Sequence, residues 1–559
     1  MSDDSEADGV RAHNLPLVRN VVNASQSVDS HDELGMLLAQ DMAAVEGPMG
    51  DIHTPPQRFN SLSPVNTLPP ELLGLIFTFL VRPANLQPKP RRARGTMLPD
   101  PQYDRPTQVP QMNANIVRVM HVCKYWRAVA IETPDLWASF AVFHPGLVQE
   151  CLVRSKTVPL SVSIGYAVSP HVSPILGDSV HRLRSAYVFQ KTKVIESIWR
   201  QQLFTRPAPS LEELFIENTE RHCWMDGAPI PEDVTSPLPA MFSGVIPRLR
   251  ILVLKGVPMP FTSLPDTLVH LEIGGLSSVP LPSFPFFLAM LRACSSLQTL
   301  NIAGSFEGEA GPLAVASDAV ALPKLERLYM ELEPTRAPGV LLASLALPAH
   351  ADVAVLPAVH DGGRFRTLLG VITPSSAPPC FQSFRCLRAA WDTTYQWNLQ
   401  AYRETSAQSS SGRAALEIDG RDDRWALPNV PEDWAGFLYD WPFDPSQIEM
   451  LVLDHHPETE GTRGGPFFGQ WDRVFGQLPA LTSLTAKHLP PSEMESLLEA
   501  LKDSTSRTGL VCRGLVTMKV SSKQISDRAR SGLAEVALAR SLGMRESLES
   551  AFQSIHIEQ

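Results

Sequence analysis

The chain has 559 residues, more than one hydrophobic core organises, so two or more folding units or a repeat array are expected. It is 44% hydrophobic and 19% charged, with 50 prolines, nearly double the usual ~5%, which excludes a coiled coil or helical bundle running through the whole chain. A net charge of −11 argues against a nucleic-acid binder that works by bulk electrostatics, because phosphate neutralisation needs a basic face.

Residues 1–60 carry ten acidic and three basic residues, a composition that predicts a solvated, disordered acidic tail. The MSDDSEADGV start has no apolar h-region, so no secretory signal is expected. At Leu68 the pattern changes. In LPPELLGLIFTFLV, Leu72, Leu73, Ile76, Phe77 and Leu80 fall at helical spacing and predict one apolar helix face. Residues 82–113 then form a proline- and arginine-rich insert that includes the basic run Lys89 to Arg94. A second helix is predicted in NIVRVMHVCKYWRAVAIET, with Ile116, Val119, Val122, Cys123, Trp126 and Val129 on one side. Pro134 stops it, and Leu136, Trp137 and Phe140 close the unit, whose boundaries are read as 61–143, followed by a linker or first repeat at 144–180.

From about residue 181 to 525 the chain repeats. LEELFIEN from Leu211, LRILVLKG from Leu249, LVHLEIGG from Leu268, LQTLNIAG from Leu297 and LERLYMEL from Leu325 share the pattern apolar-x-x-apolar-x-apolar, as do IEMLVLDH from Ile448, LTSLTAKH from Leu481 and LVTMKVSS from Leu515. Recurrence at such a period is a solenoid signature, each motif supplying a short strand of a parallel ladder. FFLAMLRACSS and SEMESLLEALKDS read as return helices, the second opening on a capping box of Ser492 and Glu495. Between 335 and 445 the pattern is poor, with LLASLALPAHADVAVL and AALEIDG strand-like and SAQSSSG a flexible loop. Trp391, Trp397, Trp425, Trp434, Trp441 and Trp471 crowd the stretch 391–471, either as irregular packing or as an aromatic recognition surface. The end, 526–559, is helical in period and is expected to cap the stack.

Chemistry-bearing motifs are sparse. The seven cysteines include no C-x-x-C pair and read as reduced thiols of an intracellular protein, cytoplasmic or nuclear. Asp454-His455-His456-Pro457-Glu458 is the most metal-like cluster, but adjacent strand histidines point to opposite faces and no further pair completes a set. No apolar run reaches membrane length; Val279 to Leu291 comes nearest and contains Pro280, Pro282 and Pro285. No metal, cofactor or catalytic residue is expected, nor nucleic acid or membrane as partner. The fold class is therefore α/β: a small helical unit followed by an irregular repeat solenoid of parallel strands with return helices and loops.

The helical unit resembles an F-box of the kind abundant in mushroom-forming fungi. The resemblance is carried by Leu68-Pro69, Glu71-Leu72, Ile76-Phe77 and Leu80, then Val122-Cys123-Lys124, Trp126-Arg127, Ala130, Pro134, Leu136 and Trp137. The repeats resemble irregular leucine-rich repeats, although the asparagine expected after each strand is missing from most; Asn218 is the nearest candidate. The resemblance implies a non-enzymatic substrate receptor of an SCF-type cullin–RING ubiquitin ligase, with a protein-interaction scaffold that keeps the fold but not the ligase as the alternative. It would place the Skp adaptor on Leu68, Pro69, Glu71, Leu72, Ile76, Phe77, Leu80, Val122, Cys123, Trp126 and Trp137, with Leu73, Val119 and Val129 in the core. A target protein of unknown identity would lie on outward strand positions, foremost Phe215, Glu217, His270, Glu272, Asn301, Arg327 and Tyr329.

Overall fold

The structure, a computed structural model, describes residues 63–81, 91–92, 99–100, 109–142, 144–165, 172–190, 195, 205–218, 241–274, 280–307, 318–333, 337–357, 372, 377–392, 396–404, 414–421, 443–456, 471–503, 515–521 and 554–558. The acidic tail, the SAQSSSG loop, most of the insert and Trp425, Trp434 and Trp441 lie outside these residues. The chain divides into two compact units, one ending at Leu268 and one beginning at Val269.

The first unit opens with helices α1 (Pro70–Val81), α2 (Val109–Met120), α3 (Lys124–Ile131) and α4 (Pro134–Trp137). Within the insert, β1 (Arg91–Arg92) pairs antiparallel with β2 (Pro99–Asp100). The single helix expected over residues 115–133 is instead two, α2 and α3, broken at His121–Cys123. Cys123 makes the break: its backbone is extended and its Sγ accepts from the Trp126 N–H, so it acts as the N-cap of α3. Pro134 starts α4 at the position where a missing N–H costs nothing.

Strand β3 (Ser139–Ala141) follows at once, then α5 (Pro145–Arg154), β4 (Leu160–Ile164), α6 (Val172–Gly177), β5 (Leu183–Gln190), β6 (Glu213–Asn218) and β7 (Ile251–Lys255). These five strands are parallel, in the order β7-β6-β5-β4-β3. The ladder thus begins before the first recognisable repeat, and α2, α4 and α5 pack against its first strand β3. A free edge would otherwise offer unpaired N–H and C=O groups at β3.

The second unit contains β8 (His270–Gly274), α7 (Phe284–Arg292), β9 (Thr299–Ser305), β10 (Val320–Ala321), β11 (Arg327–Glu333), α8 (Ala337–Ala343), β12 (Leu345–Ala346), β13 (Asp352–Pro357), β14 (Cys386–Asp392), β15 (Gln396–Tyr402), β16 (Leu416–Arg421), β17 (Met450–His456), α9 (Trp471–Gly476), β18 (Ser483–Lys487), α10 (Pro491–Asp503), β19 (Thr517–Ser521) and β20 (Ser554–Glu558). Its main sheet runs β20-β19-β18-β17-β14-β15-β16-β13-β11-β9-β8, beside a small β10–β12 ladder. All pairs in the main sheet are parallel except β14–β15 and β15–β16. After β13 the chain skips ahead to β14, and the β15–β16 hairpin turns back to fill the space left beside β13.

Each of the eight motifs begins its strand two residues after its first apolar residue, and the apolar positions are buried, as at Leu211, Leu214 and Ile216. The fourth and sixth positions, such as Leu214 and Ile216, share one sheet face because strand side chains alternate. The expected return helices are α7 and α10. The latter starts at Pro491, one residue ahead of Ser492, so Ser492 belongs to its first turn and not to its cap. Two other expectations change. LLASLALPAHADVAVL holds the expected strands, β12 and β13, but its first three residues end α8; of the expected C-terminal helix the described part, SIHIE, is β20, parallel to β19. The alternation of Ile555 and Ile557 with polar residues is a period of two, which suits a strand.

Candidate functional site

Helix α1 has almost no polar side, so periodicity cannot say which face it buries. The structure divides the helix. Leu73, Gly74 and Phe77 turn inward against α2, α3 and α4. Phe77 is fully buried, its ring 4.9 Å from that of Trp126. At Gly74 a Cβ would meet Thr133 Oγ1 at 2.8 Å, so the glycine allows α1 to lie close over the α3–α4 corner. Both ends of α1 are held by side chains of α2 and α3. Tyr125 Oη donates to the Leu68 carbonyl at 2.9 Å, Trp126 Nε1 to Asn66 Oδ1 at 2.5 Å, and Asn115 Nδ2 to the Leu80 carbonyl at 3.1 Å.

The outward face is apolar and bare of described neighbours. Leu72, Leu75, Ile76, Phe79 and Leu80 are all exposed, Phe79 at 70%. Pro69 and Glu71 are exposed beside them, and Leu68 is half-buried. Val122 is exposed in the α2–α3 turn, with Cys123 and Trp126 half-buried next to it. Contiguous apolar surface of this kind marks an interaction site.

Two expected contact residues are not on that face. Phe77 is fully buried and Trp137 is 1% exposed, its Nε1 donating to the Ala130 carbonyl at 2.8 Å and its ring lying 4.6 Å below Arg154 Cζ. Both anchor the helices to one another and present nothing outward. Conversely, Leu75 and Phe79 belong to the exposed face, which helical spacing alone does not separate from Leu73 and Phe77. Leu73, Val119 and Val129 are buried as expected.

A family model described as F-box-like matches residues 65–142. Residues 65–142 are an F-box-like domain. The match reaches from the turn before α1 to the end of β3, so the F-box-like domain includes the first strand of the parallel ladder. No curated protein matches the chain.

Beyond the F-box-like domain, the residues expected to hold a target are scattered in accessibility. Phe215 is 7% exposed: its ring stacks 4.8 Å from that of Tyr187, Val253 completes the cluster, and Tyr187 Oη donates to Glu213 Oε2 at 2.5 Å. Aromatic side chains in register on adjacent strands cover one another, so Phe215 is a packing residue. Glu272 is 5% exposed, with His270 Nε2 at 3.6 Å and Asn301 Nδ2 donating at 3.3 Å. Glu217, His270, Asn301 and Tyr329 are half-buried and Arg327 is exposed.

A denser polar group, which the sequence did not reveal, lies where the antiparallel hairpin interrupts the ladder. Arg388 Nη2 donates to Asp454 Oδ2 at 2.6 Å, and Glu417 Oε1 accepts from Gln400 Nε2 at 2.7 Å and Asn398 Nδ2 at 3.0 Å. Burial pushes the Glu417 carboxyl up, opposed by the two amide donors and by Arg388. These residues are distant in sequence and meet only because β14, β15, β16 and β17 are neighbours.

Of the candidate metal cluster, Glu458 and the His456 side chain lie outside the described residues. His455 turns to the core side, its Nδ1 3.1 Å from the His488 carbonyl oxygen, while Asp454 faces Arg388. Among the described residues no group of three His, Cys, Asp or Glu side chains could hold an ion. Trp471 is buried and stacks on Phe475 at 5.9 Å, which makes it core. Among the described residues no helix is long and apolar enough to cross a membrane.

Proposed function

We propose that the chain is a substrate receptor of an SCF-type cullin–RING ubiquitin ligase. Its F-box-like domain docks on a Skp adaptor, and the strand-rich remainder, read as an irregular leucine-rich-repeat solenoid, holds a target protein. The observation that carries this reading is the outward face of α1. Five exposed apolar side chains on a helix inside an F-box-like domain form a surface that a helical partner groove would bury. Catalysis would belong to the assembled ligase. The receptor acts by holding the target near the conjugating enzyme, so it needs no nucleophile or metal of its own.

The adaptor surface proposed is Leu68, Pro69, Glu71, Leu72, Leu75, Ile76, Phe79 and Leu80, with Val122, Cys123 and Trp126 at its margin. Phe77 and Trp137 support it from beneath. The test is co-purification of the full chain with a Skp adaptor. Wild type should retain the adaptor, and Leu72→Asp with Ile76→Asp should lose it. Failure of the wild type to retain any adaptor would overturn the ligase reading, and retention by the double variant would overturn the choice of face.

A further inference from the structure

The two strands β18 and β19 differ from the rest of the second unit in what their open face presents. Their burial alternates strictly: Leu484, Ala486, Met518 and Val520 are buried, while Ser483, Thr485, Lys487, Thr517, Lys519 and Ser521 are half-exposed. Register sets Ser483 beside Thr517, Thr485 beside Lys519 and Lys487 beside Ser521. The face therefore carries two ammonium groups on a diagonal, each flanked by hydroxyls, and no carboxylate on either strand. The flanking strands each bring one acidic residue, Glu558 of β20 in register with Ser521 and, on β17, Asp454 in register with Lys487. The Asp454 carboxylate is held by Arg388 at 2.6 Å, and neither lysine has an ion pair with a described residue. With Arg388, the β17–β20 stretch brings three cationic residues against two acidic ones, a local cationic excess in a chain of net charge −11.

We infer that the open face of β18–β19 binds an acidic, extended segment of a partner protein, with two carboxylates two residues apart. Strands lie about 4.8 Å apart and rise about 3.3 Å per residue, which puts the Cα atoms of Lys487 and Lys519 about 8 Å from each other. An extended peptide spaces residues i and i+2 by about 6.7 Å on one side, within reach of two flexible lysine side chains. The four hydroxyls supply donors and acceptors for the peptide's backbone and polar groups. The backbone N–H groups of β18 and β19 are committed to the parallel ladder, so no nest of amides exists there for a compact anion such as inorganic phosphate. Electrostatic complementarity of this type selects a partner and steers its approach.

The inference rests on the reading of the strand-rich remainder as the target-holding part and gives that target a chemical class. It is tested by titrating the full chain with a labelled octapeptide carrying Glu at alternate positions, against the same peptide with Gln. The Glu peptide should bind, the Gln peptide at least about tenfold more weakly. Binding should also fall at 1 M salt, where the screening length is about 3 Å. Lys487→Glu with Lys519→Glu should abolish binding, and the milder Lys487→Gln with Lys519→Gln should weaken it at an unchanged thermal midpoint. No binding by wild type, equal binding of the Gln peptide, or full binding by the lysine variants would overturn the inference. Adaptor retention is scored on the same preparations. Loss of peptide binding with the adaptor kept defeats this inference alone, whereas loss of the adaptor with peptide binding kept defeats the ligase reading alone.

Discussion

Residues of like chemistry on α1 have opposite roles, and burial separates them. Phe77 fills the centre of the helical unit, so Phe77→Ala should cost about 3–5 kcal/mol in denaturant unfolding. Phe79, two residues on and exposed, should cost less than about 0.5 kcal/mol on the same substitution. The cysteines divide in the same way. Cys380 and Cys386 are buried, and burial pushes each thiol up to about 12; Cys151 is raised further still. Thiolate is the reactive form. Alkylation of the native chain at pH 8 should therefore leave these three unmodified, as mass spectrometry of the digested product would show. Glu417 provides a pH signature. Its folded-state pKa lies above the ordinary carboxylate value because burial disfavours the charge. The stability it contributes is thus fully present below the unfolded value and is lost as pH rises through the folded one. Glu417→Gln keeps an acceptor for Gln400 and Asn398 but cannot ionise. The variant should gain stability over wild type as pH is raised from 5 to 8, read as a shift in the thermal midpoint. An equal midpoint difference across that range would contradict the account.

Elements whose period is unambiguous were legible in the sequence. The eight strand motifs carry the period of two, with a leucine or isoleucine opening each and buried residues at the fourth and sixth positions, and all eight are parallel strands in the structure. The return helices α7 and α10 were legible from the 3.6 period. What was not legible has physical causes. Helix α1 is apolar on all sides, so no period could separate Leu72 from Leu73. The break between α2 and α3 contains neither proline nor glycine and depends on a cysteine sulfur serving as a cap, a weak acceptor in a role usually taken by Ser, Thr or Asp. Strands β15 and β16 interrupt the ladder in antiparallel sense, a matter of long-range pairing that no local window contains. The target positions chosen from alternation alone failed at Phe215 and Glu272, because neighbouring strands cover them. Gly274 shows how tight the ladder is. At φ +144°, a Cβ there would lie 2.4 Å from the Ala303 carbonyl oxygen, so Gly274→Ala should destabilise the second unit by about 2 kcal/mol or more. Local hydrogen exchange at β8 and β9 would detect it. The ion pair of Arg388 and Asp454 ties β14 to β17 on the face away from the leucine core. Removing one partner with Asp454→Ala should cost about 3 kcal/mol, since it takes away the nearer carboxylate from a largely buried Arg388.

At the scale of the molecule, the F-box-like domain and the first strands of the parallel ladder form one compact unit. β3 lies within the family match, and α2, α4 and α5 close its edge. The proline excess takes on meaning at this scale too: Pro70, Pro134, Pro145, Pro285 and Pro491 each stand in the first turn of a helix, the one helical position that tolerates them. The central claim is that the bare side of α1 is an adaptor surface. The most direct test is the affinity of the full chain for a Skp adaptor, measured for wild type, Phe79→Ala and Leu72→Asp with Ile76→Asp, each with its unfolding midpoint. The account predicts measurable wild-type binding, a loss of about tenfold or more for Phe79→Ala, no detectable binding for the double variant, and unchanged midpoints throughout. Wild-type affinity in the variants, or no affinity in the wild type, would contradict it.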